Sequence, residues 1–168
     1  MMGAGKTTTA MALSRRLGLP MRDSDSDIEA VMGRTGADLG AAGGVDELHR
    51  LEEAMLLGAL ALGPSHVIAA AGWVVESALC RRALARRACV VYLRLPLDRL
   101  AHRIEAGTHR RTIAPDELAA IDERRRPLFE QVADVPVDGR RPVAEVVDAV
   151  VARLAQLESC RSILSSTR

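Results

Sequence analysis

Gly3-Ala4-Gly5-Lys6-Thr7-Thr8 decides how this chain is read. Lys6 is the only lysine in the sequence; the other 22 of the 23 basic residues are arginine. Such a bias is what a GC-rich genome imposes, and one position has resisted it. A phosphate-binding loop accounts for the resistance. A compact ammonium on a thin stem reaches the β- and γ-phosphates of a nucleotide, where a planar guanidinium does not fit. The glycines let the backbone approach the phosphates, and the hydroxyl of Thr7 is suited to hold Mg²⁺. The competing reading is a chance glycine-rich turn. The full pattern G-x-x-x-x-G-K-[ST] sets its first glycine five residues before Gly5, ahead of Met1, and a buried β-strand precedes that glycine in such loops. The expectation is therefore a chain that starts after its own first strand, through a late start site or as a fragment.

The 168 residues suit one compact domain. Hydrophobic residues make up 48% but aromatics only 2%, namely Trp73, Tyr92 and Phe129, so the core must be built from Ala, Leu, Val and Ile. A net charge of +1 sets up no strong field toward nucleic acid or a membrane. Arginines cluster locally at Arg110-Arg111 and Arg124-Arg125-Arg126, as solvated helix faces or, beside a phosphate loop, as phosphate or carboxylate clamps. Cys80, Cys89 and Cys160 are odd in number and lack C-x-x-C spacing, so neither a disulfide framework nor a zinc site is expected, and a reducing cytoplasm fits. No apolar run reaches the ~18 residues of a membrane span. No secretory signal is expected, since the N-terminus is already the nucleotide loop.

Apolar spacing predicts a helix over residues 6–17, stopped by Gly18, with Ala10, Leu13 and Leu17 on one face. A short extended run over 19–22 leads into an acidic turn, Asp23-Ser24-Asp25-Ser26-Asp27. A helix over 28–32 follows, and Gly33 and Gly36 punctuate what comes next. Further helices are predicted over 45–62, 77–87, 97–105, 115–126 and 143–157, and strands over 67–71, 89–95 and 135–138. Short apolar strands alternating with helices indicate a parallel α/β sheet. Right-handed crossovers bring the loop, the acidic turn and Gly72-Trp73 to one sheet edge, where ligands bind in open α/β sheets.

Phosphoryl transfer needs charge neutralisation and a positioned acceptor. Asp23 and Asp25, two residues apart after a strand, can serve these needs, one toward Mg²⁺ and the other toward an acceptor hydroxyl. Spacing alone does not separate this from a solvated acidic turn capping the next helix. A guanine-reading N-K-x-D cannot exist with Lys6 as the only lysine.

Taken in order, several segments resemble the shikimate kinases, a family with the nucleoside-monophosphate-kinase-like P-loop fold. They are Met2-Gly3-Ala4-Gly5-Lys6-Thr7-Thr8; Asp23-Ser24-Asp25 with Ile28-Glu29; Gly33 and Gly36; Leu51-Glu52-Glu53; Val90-Val91-Tyr92-Leu93; and Arg125-Arg126-Pro127-Leu128-Phe129, followed by Val132-Ala133 and Val137-Asp138. The resemblance runs from Met2 to about Leu157. It implies a single P-loop kinase domain over residues 1–158, with an acceptor-binding region about 24–62 and a lid about 106–117. Residues 159–168 are read as a flexible tail. It implies a parallel sheet in the order 2-3-1-4-5 flanked by helices, with the first strand missing from this chain.

The implied chemistry is ATP-dependent phosphorylation of shikimate or a similar hydroxylated carboxylate, in aromatic amino acid biosynthesis, by a cytoplasmic monomer. The resemblance gives Gly3, Ala4, Gly5, Lys6, Thr7 and Thr8 to the nucleotide phosphates and Thr7 and Asp23 to Mg²⁺. Asp25 binds acceptor hydroxyls and acts as base. Arg125 pairs with the acceptor carboxylate, Arg110 is the lid arginine, and Arg103 and Pro142 sandwich the adenine. Lys6, Asp25 and Arg110 are the implied catalytic residues.

Three departures from the family pattern fall in this sequence. His49 stands at the family's carboxylate-binding arginine, after Leu48 in place of Phe; Arg50 lies about 100° around the helix and is expected to face elsewhere. Ala71-Gly72-Trp73 replaces three glycines and sets an indole at the acceptor. Arg110-Arg111-Thr112 replaces the lid's Arg-Pro-Leu. These leave two further readings open: a nucleotide-binding homologue with weak catalysis, and a kinase for another sugar or hydroxy acid.

Overall fold

The computed structural model describes residues 1–62, 65–106 and 113–157. Helix α1 (Lys6–Leu17) leads to β1 (Met21–Asp23), then α2 (Ser24–Met32), α3 (Gly36–Gly43) and α4 (Val45–Ala61). Strand β2 (Val67–Ala69) runs into a 3-10 turn over Gly72–Val75, followed by α5 (Ala78–Arg87), β3 (Val91–Arg94) and α6 (Leu97–Glu105). Helix α7 (Pro115–Val132), β4 (Val135–Asp138) and α8 (Val143–Leu154) complete the described chain.

The strands form two parallel ladders. In one, Met21 of β1 lies opposite Val67 of β2 and Asp23 opposite Ala69. In the other, Val91 of β3 lies opposite Val135 of β4 and Arg94 opposite Asp138. These are the outer pairs of the expected sheet order. Between them lies a cavity of about 530 Å³ lined by Val67 and Ala69 of β2, Val91 and Leu93 of β3, Leu13 of α1 and Leu56 of α4. Among the described residues no strand pairs with the facing edges of β2 and β3. The α-amino group of Met1 also borders this cavity. Burial holds it well below its ordinary pKa, helped by the positive charges of Lys6 and Arg125.

Aliphatic side chains carry the packing, as the scarcity of aromatics requires. Leu13 meets Val146, Val147, Val150 and Leu154 of α8 over Val135. Leu100 and Ile104 of α6 pack with Leu95 and Leu118. Leu56, Val74 and Leu84 form a third cluster around Cys80. Tyr92 stacks on Phe129, with ring centroids 5.1 Å apart.

Three local expectations need correction. The acidic segment is the N-terminus of a helix: Asp23 caps α2, its side chain accepting from the Asp25 amide at 3.0 Å. The stretch around Gly36 folds as α3, because Thr35 and Asp38 close a capping box at its start. Its Gly36 and Gly40 then make a smooth face on which Leu48 of α4 rests. Helix α7 runs through Pro127 to Val132; the proline removes one backbone donor, and the packing of Phe129 on Tyr92 holds the turn beyond it.

Candidate active site

The loop before α1 has the backbone that its glycines predict. Gly3 and Gly5 sit at φ 74° and 86°, in the left-handed region that other residues adopt at a cost. A Cβ on Gly3 would also stand 3.2 Å from the carbonyl oxygen of Leu100. Gly5 is the N-cap of α1 and gives its amides no side-chain cap. The first-turn N–H groups therefore point into the loop with the positive end of the helix dipole behind them, which is an anion site. Lys6 Nζ donates to the carbonyl of Met1 at 3.1 Å, which folds its stem back along the loop.

Thr7 Oγ1 donates to Asp23 Oδ2 at 2.7 Å. The two residues read as metal ligands thus converge from the start of α1 and the end of β1. Among the described residues no group of three or more His, Cys, Asp or Glu side chains could hold a metal. Mg²⁺ takes one or two protein oxygens and completes its shell with phosphate oxygens and water, and Thr7 and Asp23 offer a hydroxyl and a carboxylate oxygen side by side. The donors present fit it.

A cavity of about 350 Å³ opens beside the loop, lined by Gly3, Gly5, Thr8, Arg103, Gly139 and Arg141. Arg103 Nη2 donates to the carbonyl of Gly139 at 3.3 Å, joining α6 to the loop after β4. Pro142 is the N-cap of α8, between two lining residues, Arg141 and Val143. Gly139 and Arg141 were not singled out in the sequence; the Asp138-Gly139-Arg140-Arg141-Pro142 turn was the available signal. Arg110 lies outside the described residues, as do the rest of residues 107–112, half of the implied lid, and the whole tail over 159–168.

On the other side of Lys6 the acceptor candidates assemble. Ser24, buried at the start of α2, accepts from the Ala71 amide at 3.3 Å. This bond sets Asp23 and Asp25 beside the strand end that carries Gly72. His49 of α4 stacks flat on Trp73, with centroids 4.1 Å apart and planes 6° from parallel. Two of the departures thus occupy each other. Arg50 is exposed, as its position on the helix predicts. Arg125 comes to the same place from α7, and a Cβ on Gly72 would lie 3.7 Å from its Nη1.

Two carboxylates here were missed. Glu76 follows the 3-10 turn and accepts from Arg125 Nε at 2.5 Å and from Arg124 Nε at 2.9 Å. Burial pushes its pKa up, but the hydrogen bonds from Arg124 and Arg125 together outweigh burial and hold it below its ordinary value. Glu52 lies one helical turn after His49. Its Oε2 is buried with no hydrogen-bond partner. Burial, followed by the charge of Asp25, pushes it up to about 7 against the opposing pull of Arg125 and Lys6. Those influences locate Lys6, Asp25, Glu52 and Arg125 within one field. His49 is lowered by burial and then by Arg125, so the imidazole is neutral at pH 7. Glu52 lies within the Leu51-Glu52-Glu53 segment of the resemblance, but no role was read for either glutamate.

The geometry joins a glycine-rich helix N-terminus and a hydroxyl–carboxylate pair to a cleft holding a carboxylate, a guanidinium and a stacked imidazole. The family model for shikimate kinase matches residues 2–155. A shikimate kinase of Symbiobacterium thermophilum is 37% identical over 163 residues, 93% of each chain. One from Frankia casuarinae is 38% identical over 160 residues, 92% of this chain and 70% of its own. The solved shikimate kinase from Acinetobacter baumannii in complex with shikimate has the same fold, with a TM-score of 0.83 at 24% identity over 92% of this chain and 89% of that one. The chain belongs to the shikimate kinase family.

Proposed function

We propose that this chain transfers the γ-phosphate of ATP to a hydroxyl of shikimate. The observation that carries the reading is the convergence of Thr7 and Asp23, 2.7 Å apart, beside Lys6 and one step from Asp25. ATP supplies the phosphoryl group and Mg²⁺ neutralises its developing charge, so catalysis is mainly positioning and electrostatics. The amides after Gly5 and the ammonium of Lys6 hold the phosphates. Thr7 and Asp23 would hold the metal. Asp25, on the exposed first turn of α2, orients the acceptor hydroxyl and takes its proton at the carboxylate. Arg125 binds the acceptor carboxylate with Gly72 beside it, and His49 and Trp73 wall the pocket. Arg103 and Pro142 flank the base. The acting unit is read as a monomer in the cytoplasm, where ATP is supplied.

The His49–Trp73 stack supports a second reading, in which the acceptor is a different hydroxylated carboxylate. ATP turnover with shikimate, quinate, gluconate and no acceptor tests both. The first reading expects shikimate to give the highest kcat/KM. A higher value for another acid would overturn it in favour of the second.

A further inference from the structure

The guanidinium assigned to the acceptor's carboxylate already holds a carboxylate. Glu76 is fixed at the C-terminal end of the 3-10 turn. Its amide donates to the Trp73 carbonyl at 2.7 Å, and Arg81 Nη1 holds the carbonyls of Val75 and Glu76 at 2.6 and 3.0 Å. The side chain is thereby aimed at α7. There Oε1 takes the Nε–H of Arg125, while Oε2 takes that of Arg124. Glu76 and Arg125 are both mostly buried, at 19% and 15% side-chain exposure, while Arg124 stands half in solvent. Arg125 is therefore the partner that Glu76 engages out of water, where a charge-assisted bond is strongest.

Arginine binds a carboxylate best through two parallel N–H donors. With Nε–H committed to Glu76, the side-on fork of Arg125 is closed, and an incoming carboxylate meets only the terminal nitrogens. It also meets a guanidinium whose charge is already balanced. His49, the neighbouring imidazole, is neutral at pH 7 and adds no compensating charge.

We propose that Glu76 is an internal competitor for Arg125 that sets the affinity of the acceptor site for carboxylates. Binding of a carboxylate acceptor requires Arg125 to exchange Glu76 for the substrate, and Arg124 is the exposed arginine that receives the released side chain. The inference rests on the reading of Arg125 as the acceptor's partner.

The test is steady-state kinetics of Glu76→Gln and Glu76→Ser, with shikimate varied at saturating ATP-Mg²⁺. Both substitutions are expected to lower KM for shikimate about tenfold, as removal of one competing charge-assisted bond implies, with kcat within about twofold of the parent. Arg124→Gln, which removes the side chain that receives Glu76, is expected to raise KM. A purely structural role for Glu76 would lower kcat and thermal stability and leave KM unchanged or raised. An unchanged or raised KM in whichever glutamate variant folds overturns the proposal. Loss of shikimate turnover in the parent chain itself would instead overturn the proposed function.

Discussion

Glu52 makes the stability of this chain depend on pH in a direction opposite to that of most carboxylates. An ordinary surface glutamate loses its proton near pH 4.5, whereas burial and the nearby charge of Asp25 raise Glu52 to about 7 in the folded chain. Below about pH 4.5 the group is protonated folded and unfolded, and its contribution is fully present. As pH rises, the unfolded chain releases the proton first, and the contribution is lost progressively until the folded group titrates near pH 7. The interval corresponds to about 3 kcal/mol at ~1.36 kcal/mol per pH unit. Glu52→Gln keeps the shape and stays neutral. The variant should therefore be more stable than the parent by about 3 kcal/mol at pH 8, and the gap should close toward pH 5. Urea melts of both chains at pH 5, 6, 7 and 8 measure this, and taking their difference removes every other titrating group. Parallel stability curves, or a variant less stable at pH 8, would show that Glu52 is ionised at little cost in the fold.

Three further outcomes are expected. Lys6→Ala should weaken ATP-Mg²⁺ binding at least tenfold by calorimetry, because it removes the one ammonium that lies along the loop; equal affinity would remove the phosphate-loop assignment. His49→Arg with Trp73→Gly should lower KM for shikimate about tenfold by restoring a charge-assisted bond, at a stability cost of about 1 kcal/mol for the lost ring stack; efficient turnover by the parent and poorer turnover by the double variant would refute it. Extending Met1 by about six apolar β-formers and a glycine should raise Tm by roughly 10 °C, because such a segment can pair with the facing edges of β2 and β3, which no strand among the described residues pairs, and turns a buried amine into an amide; a matched Lys/Glu-rich extension should not, and equal melts would show that the cavity accepts no strand.

How much of this was legible in the sequence depends on range. The loop, α1 and the strands were readable because each rests on neighbours in sequence: glycines that need positive φ, a lysine with one use, and alternating apolar runs. Helix α3 was hidden by its glycines, since its cap lies in Thr35 and Asp38 and its face is made for Leu48 on another helix. The length of α7 was hidden by Pro127, which an isolated helix would not tolerate and which packing beyond it overrides. Glu52 and Glu76 were invisible as site residues for a different reason. A glutamate on a helix or after a turn is ordinary until the fold buries one against Asp25 and hands the other two arginines. His49 and Trp73 were each legible as departures, but their mutual stacking joins α4 to the segment after β2 and exists only in three dimensions.

The central claim is phosphoryl transfer from ATP to shikimate by the cleft between Lys6, Asp25 and Arg125. Mass spectrometry of the acceptor after incubation with ATP and Mg²⁺ tests it most directly. A phosphorylated shikimate formed with stoichiometric ADP is the expected product, with none from the Lys6→Ala chain. ADP release that is indifferent to shikimate, with no phosphorylated acceptor, would contradict it.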